Sequence, residues 1–566
     1  MSDNENVTCD VLVVGTGAGG LATAITAKKQ GLNVIVVEKQ PVFGGSTALS
    51  GGWLWVPNNP LARRAGIEDT VEAARDYVER EAGRHFDGPR VDAFLRHAPA
   101  MVEFFERETE VRFTLGAAFP DYHAETPGAS HGGRPICAEP YDANELGPHA
   151  ALLSPPIRGM TFVGLTFGSG PDMRHFLNAL YSVNSAWYTA KRLVKYGRDL
   201  LLHGRSMKLF NGAALAARLY KSAVQLDIPI WLSTPVTDLL DEGGRVYGAV
   251  ITHEGQVKRV RATRGVVLAT GGFPGDLARR EAVFPHAPSS AEHITMAPAT
   301  NTGDGLRLAE SIGAATNMTY PHLGSWMPVS RVPLGNGRET AITHILDRGK
   351  PGIIAVRADG RRFTNEGANY HDFGAAMIGE APGQRQAVFL VADHRAVRKY
   401  GLGFAKPFPV PLSPYLRSGY LLRGATIETL AKRAGIDVGG LAQAIQQFNL
   451  HARDGRDPEF HKGEAAYDRF QGDPLHTPNP CIGPLDKGPY YAVRLMPGDI
   501  GTFGGLRTDT QGRVLDEQRQ PIAGLYAVGN DMASIFGGSY PGGGSTLGPA
   551  MTFGYIVGRH LAEIDD

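Results

Sequence analysis

Six residues near the start of the chain, Gly15-Thr16-Gly17-Ala18-Gly19-Gly20, constrain the fold more than any others. An apolar run, Val11-Leu12-Val13-Val14, leads into them, and a small-residue stretch from Leu21 to about Gln30 leads out. A second apolar run, Val34 to Val37, ends at Glu38. The pattern predicts strand, helix, strand. Its continuous apolar runs are those of a parallel sheet covered on both faces. Gly15, Gly17 and Gly20 fill a G-x-G-x-x-G pattern. The first permits a tight turn, the second lets the backbone approach a pyrophosphate, and the third lets the helix pack against the strand. The helix N-terminus then offers unpaired N–H groups and a positive dipole end to phosphates. Glu38, 18 positions after Gly20, is placed to accept from ribose hydroxyls. Together these features predict dinucleotide binding.

Composition narrows the class. Glycine is 72 of 566 residues and falls in clusters, as backbone that must approach a ligand closely would require. Basic and acidic residues number 57 each, so a basic nucleic-acid binder is disfavoured. Cys9, Cys137 and Cys481 lie far apart with no C-x-x-C pair, which argues against iron–sulfur clusters, zinc ribbons and covalent haem. A sparse, odd count suits a reducing compartment. Met1 to Val7 is polar with no apolar core of a signal peptide, and no run of ~20 apolar residues exists. These points predict a cytoplasmic protein. No metal-ligand constellation and no internal repeat is visible.

Along the chain, residues 68–109 and 173–204 read as helical. Val236 to Leu240 and Val246 to Ile251, separated by Gly243-Gly244, read as a β meander. Gly265 to Gly272 reads as a buried strand ending in a glycine turn. Residues 330–498 differ in character, with a hairpin signal at Asp359-Gly360, a proline-rich loop at 406–414 and helices near 426–452. The expected architecture is α/β: a Rossmann-like domain with a parallel sheet, from 1–329 and 499–566, carrying an inserted α+β substrate or cap domain at 330–498.

Further motifs carry a resemblance. After Glu38 comes a second glycine-serine turn, Gly44-Gly45-Ser46-Thr47. Near the end, Gly524 to Asn530 reads as a strand running into a turn, and Gly548-Pro549-Ala550 opens a helix. This set resembles the FAD-binding domain of the fumarate reductase/succinate dehydrogenase flavoprotein superfamily. The resemblance implies FAD, bound non-covalently, because no His lies between Gly44 and Gly52 where covalent members carry their link. It implies cofactor contacts from Gly15, Gly17, Ala18, Gly19, Gly20, Glu38 and Lys39, then Gly45, Ser46, Thr47, Gly51 and Gly52. The later contacts are Val236, Thr270, Gly271, Asp304, Gly529, Asn530, Gly544, Thr546 and Leu547.

Dicarboxylate enzymes of that superfamily need cationic groups that are missing. Tyr370 stands where their proton-donating Arg would be, and the segment Asp499 to Gly505 lacks their carboxylate-binding His. The remainder resembles 3-ketosteroid Δ1-dehydrogenases across essentially the whole chain. The resemblance rests on Asp121-Tyr122, Asn365-Glu366 to Tyr370, Gly488-Pro489-Tyr490-Tyr491-Ala492 to Gly498-Asp499, and Tyr540-Pro541-Gly542-Gly543-Gly544 leading to Gly548–Gly554. Gly543 replaces a proline usual in that family.

Desaturation beside a ketone sets the expected roles. Hydrogen bonds to the carbonyl oxygen acidify the alpha C–H, because enolate charge develops there. Tyr540 O–H and the Gly544 N–H would supply them. The resemblance gives Tyr370 the role of base, with Tyr122 stabilising its phenolate and flavin N5 taking the hydride. The expected partners are a hydrophobic cyclic ketone and an external electron acceptor such as a quinone. Alternatives are a monocyclic ketone such as cyclohexanone, suggested by Gly543, a reductase of an enone or enoate, and a flavin-binding protein without catalysis. Tyr490 and Tyr491 read as core or pocket wall, and His123, His371 and Asp499 as polar loop residues. A basic, Leu-rich stretch from Lys191 to Lys208 reads as a solvated basic face beside a packed apolar one, with contact to an anionic membrane as the alternative. The apolar loop from Phe404 to Leu422 reads as a lid or a membrane-touching entrance. The oligomeric state is left open.

Overall fold

Val7–Val14 lies inside the main sheet, paired in parallel with Val34–Val37 on one side and Gln256–Leu268 on the other. A computed structural model describes residues 7–168, 172, 175, 176, 179, 182–284, 286, 292–379 and 387–564. Residues 1–6, and positions 173, 174, 177, 178, 180 and 181 of the helix expected at 173–204, lie outside the described residues. The parallel core of the sheet continues through Ile230–Trp231 on one flank and Pro521–Ala527 on the other. The expected meander is there: Val236–Glu242 and Arg245–His253 pair antiparallel, turning at Gly243 and Gly244.

The helix Ala18–Lys29 is buried along nearly its whole length, because small residues let other elements close over it. Leu547–Leu561 crosses it at short range. A Cβ on Gly554 would stand 2.6 Å from the Gly19 carbonyl, and one on Gly558 2.6 Å from Thr26 Cβ. The last helix is therefore pressed against the first, beside the glycine turn.

A second sheet draws its strands from 294–502. Its order is Arg338–Thr343, Gly324–Gly335, Tyr490–Thr502, Val388–Asp393, Ile353–Arg357, with Ile294–Thr295 and Leu422–Gly424 attached to Tyr490–Thr502. Alternation puts a core on each face. Ile353 and Ala355 join Phe373 and Met377 on one side, while Ile354 and Val356 join Leu430, Leu441 and Phe448 on the other. The helices Ile427–Ala434 and Val438–Ala452 thus cover one face, and Tyr370–Ile378 packs on the other.

Two expectations about polar residues need correction. Asp499 is no loop residue: it lies buried within Tyr490–Thr502, accepting from Thr295 Oγ1 at 2.8 Å, with His293 Nε2 at 2.6 Å. His371 is buried inside a helix. The stretch at 191–208 also departs from the expected arrangement: Arg192 and Asp199 are buried, while Leu193, Val194, Leu200, Leu201 and Leu202 face solvent.

Candidate active site

The cofactor cradle is built from chain turns that converge at the strand ends. Gly15 has φ 116°, and a Cβ there would stand 2.2 Å from the Ala269 carbonyl, so only glycine passes between the two strands. Beside Gly17 the space is open: a Cβ would find only Thr47 Oγ1 within 4 Å, at 3.8 Å. Thr47 Oγ1 accepts from Ala18 N–H at 2.9 Å, joining the two glycine turns. Glu38 Oε2 accepts from Thr16 Oγ1 at 2.7 Å and Thr16 N–H at 3.1 Å, which fixes the carboxylate at the tip of its strand. The Glu38 and Gln40 carbonyls accept from Thr234 and Ser233, so Val236 begins its strand next to Glu38.

Ser46 is tied to the third turn. Asn301 Nδ2 donates to Ser46 Oγ at 3.0 Å and to the Gly271 carbonyl at 3.2 Å. Asp531, next to Gly529 and Asn530, is fully buried and accepts from Thr270 Oγ1 and Gly272 N–H, both at 2.9 Å. Lys39 and Asp304 pair with each other at the rim. Gly45 and Ser46 open the short helix Gly45–Leu49, Gly52 is wedged against Asn211, and Gly51 is exposed. Thr546 precedes the helix that Leu547 begins.

Three tyrosines distant in sequence meet at one point. Ring centroids of Tyr122 and Tyr370 are 5.5 Å apart, Tyr122 and Tyr540 5.6 Å, and Tyr370 and Tyr540 5.3 Å. Asn369 caps the helix that Tyr370 opens, its side chain accepting from Asp372 N–H at 3.0 Å. Tyr122 N–H donates to the Pro541 carbonyl at 2.9 Å, which fastens it to the Tyr540 turn. Gly544, at φ 101°, sits against Trp53: a Cβ would stand 2.5 Å from its carbonyl. The Gly544 carbonyl accepts from Trp55, while its buried N–H donates to no acceptor among the described residues.

Electrostatics keep the tyrosines protonated. Burial pushes the Tyr370 hydroxyl well above the usual range, and the Tyr122 and Tyr540 hydroxyls push it further. Burial also holds the Tyr122 hydroxyl well above the usual range, and the neighbouring Tyr467 and Tyr540 hydroxyls raise it further. A fourth tyrosine, Tyr467, lies 4.6 Å from Tyr122, hydrogen-bonded to Gln471. Burial drives the His371 ring down to about 3, so it is neutral, and its Nδ1 accepts from Trp326 N–H at 3.1 Å. His123 is charged. Burial opposes the charge, but Asp372 and Glu81, at 2.6 and 2.5 Å from its two nitrogens, outweigh burial and hold it at about 10.

Sequence reading missed Thr16, Asn301, Asp531 and Tyr467. A carboxylate following Gly529-Asn530 was a usable signal for Asp531. Tyr467 stands in a short helix, Ala466–Gln471, without a motif around it.

The FAD binding domain family model matches residues 10–547. The chain belongs to this family. Along its full length it is 41% identical to the 4-oxocyclohex-2-ene-1-carboxylate 5-dehydrogenase of Sinomonas cyclohexanicum, covering 95% of that protein. It is 37% identical to the 3-oxosteroid 1-dehydrogenase of Mycobacterium tuberculosis, over 98% of each chain. The crystal structure of 3-ketosteroid Δ1-dehydrogenase from Sterolibacterium denitrificans with 1,4-androstadiene-3,17-dione superposes with a TM-score of 0.90 at 37% identity, covering 99% of this chain and 100% of that one. The chain is thus a flavoprotein oxidoreductase related to ketosteroid and cyclic-ketone dehydrogenases, with FAD as its cofactor. The cradle fits that group: open space beside Gly17 suits a pyrophosphate, and the Gly544 N–H, without an acceptor among the described residues, offers a donor.

Proposed function

We propose that this enzyme desaturates a small cyclic ketone, placing a carbon–carbon double bond next to the ring carbonyl. The observation that carries the reading is the meeting of the Tyr122, Tyr370 and Tyr540 rings, with Gly544 four residues after Tyr540. In this reading Tyr540 O–H and Gly544 N–H donate to the ketone oxygen, where enolate charge develops. Tyr370 takes the alpha proton, after losing its own through Tyr122 and Tyr467. Aromatic walls keep bulk water out. Bound FAD supplies the acceptor for the beta hydrogen and its electron pair. An external acceptor such as a quinone then reoxidises the enzyme. We assign the cofactor contacts to the residues of the three turns described above, and the cap to the insertion at 330–498.

Gly543 bears on ring size. A Cβ there would stand 2.6 Å from Phe119 Cζ, so Phe119 and a proline at 543 would compete for one space. Phe119 packs between Trp53 at 5.0 Å and Phe470 at 4.8 Å, and reaches to 6.3 Å from Tyr122. This wall shortens the room beside the tyrosines. The Sinomonas relative named for a cyclohexene carboxylate supports the same size class. The second reading is Δ1-desaturation of a 3-ketosteroid, supported by the Mycobacterium and Sterolibacterium relatives.

Anaerobic titration of the FAD-loaded enzyme separates the two. Bleaching of the flavin by cyclohexanone or 4-oxocyclohexanecarboxylate, with little from androst-4-ene-3,17-dione, is the expected result. Bleaching by the steroid alone would favour the second reading, and an oxidised flavin with all three would sink both.

A further inference from the structure

The helix Val183–His203 is inverted relative to an ordinary surface helix. Its buried positions are polar: Ser185, Arg192 and Asp199. Arg192 lies 3.4 Å from Asp172 and donates to the Thr166 carbonyl at 3.2 Å, while Asp199 accepts from Met207 N–H at 3.0 Å. One line of outward positions is apolar. Val183 is 86% exposed, Trp187 67%, Val194 75% and Leu201 88%. At about 100° per residue, steps of seven drift by only ~20°, so these four side chains form one stripe. Single exposed apolar residues are ordinary, but a contiguous stripe marks an interaction surface.

Charge says what kind. Lys191 and Arg198 lie along one edge of the stripe, with Lys191 Nζ 5.9 Å from the Trp187 ring centroid, while Lys195 between them pairs with Asp142 at 3.1 Å. The only acid in the helix, Asp199, is buried. A cationic edge on long side chains beside an apolar arc, with a Trp at the margin, is the pattern of a helix lying in a lipid interface. A second copy of the chain fits less well. A two-fold pairing of this face would bring cations together with no exposed carboxylate on the helix to meet them. No helix among the described residues is long and apolar enough to cross a membrane, so the contact would be peripheral.

We propose that Val183–His203 docks the enzyme on an anionic bilayer surface, with Trp187 and Leu201 entering the interface and Lys191 and Arg198 meeting lipid phosphates.

The test is flotation of the FAD-loaded protein with phosphatidylcholine vesicles, with and without phosphatidylglycerol. Wild type should float with the anionic vesicles, and Trp187→Glu/Leu201→Glu should stay at the bottom with its flavin spectrum intact. Removing Lys191 or Arg198 should weaken partitioning by about fivefold each. Trp187 emission should shift to the blue on vesicle addition, and Trp187→Phe should abolish that shift. No flotation with either vesicle overturns the proposal. Equal flotation with neutral vesicles overturns its electrostatic half. A dimer in size-exclusion chromatography that Leu201→Glu dissociates, without flotation, would assign the face to a second copy instead.

Discussion

His123 Nε2 stands 2.6 Å from Asp372 Oδ2, which ties the residue after Tyr122 to the first turn of the helix that Tyr370 opens. Glu81 holds the other ring nitrogen and also accepts from Ser539, the residue before Tyr540. One imidazolium thus braces all three tyrosine-bearing segments.

That brace has a pH signature. The folded-state value, about 10, lies above the ~6.5 of an unfolded chain, so the stabilisation is complete below about pH 6.5 and is lost as pH rises through about 10. His123→Gln should therefore unfold at lower urea than wild type at pH 6, and the gap should narrow by pH 9.5. A gap of constant size over that range would mean that the ring is uncharged in the fold.

Tyr370→Phe should keep bound FAD, visible in its absorbance, and lose about 10²- to 10⁴-fold in the rate of flavin reduction by the ketone. Burial and neighbouring hydroxyls hold Tyr370 protonated well above the usual range, so the wild-type rate should climb through pH 7–9 without a plateau. Stopped-flow reduction across that range checks both. A rate unaffected by the substitution would move the base elsewhere.

The two glycines of the first turn should fail differently. Gly15→Ala puts a Cβ 2.2 Å from a backbone carbonyl at φ 116°, so it should cost more than about 1 kcal/mol of stability, measured by thermal unfolding of the FAD-free protein. Gly17→Ala meets open space, so the FAD-free protein should melt as wild type does while FAD affinity falls. Equal melting temperatures for wild type and Gly15→Ala would contradict the steric argument.

All three cysteines are buried, and burial pushes each thiol up to about 12. Native protein at pH 7 should leave a thiol-reactive chromophore essentially untouched over minutes, whereas unfolding in guanidinium should release three equivalents. Rapid reaction of one thiol in the native state would locate a local opening.

The parallel sheet was legible because its strands are apolar without alternation and its glycines stand at fixed offsets. The place of Glu38 at the end of its strand was legible for the same reason. The meeting of Tyr122, Tyr370 and Tyr540 came only through resemblance, since nothing local to any of them says that 170 to 250 residues of chain fold back to one point. Tyr467 gave no signal, because its contribution is a packing distance to Tyr122. The helix at 183–203 was misread for a physical reason. Its 3.6-residue periodicity shows two faces, but the periodicity does not say which face points inward, and here Arg192 and Asp199 find buried partners just outside the helix, at Asp172 and Met207.

The crossing of Leu547–Leu561 over Ala18–Lys29 also sets a schedule for synthesis. The glycine turn and its helix emerge from the ribosome well before the helix that closes over them, which comes more than 500 residues later, as does the strand Pro521–Ala527 that completes the parallel pairing. The half-built sheet must therefore wait with an uncovered apolar surface until those later segments are made. Protection of that early segment by a holdase would decide how much of the enzyme reaches its cofactor.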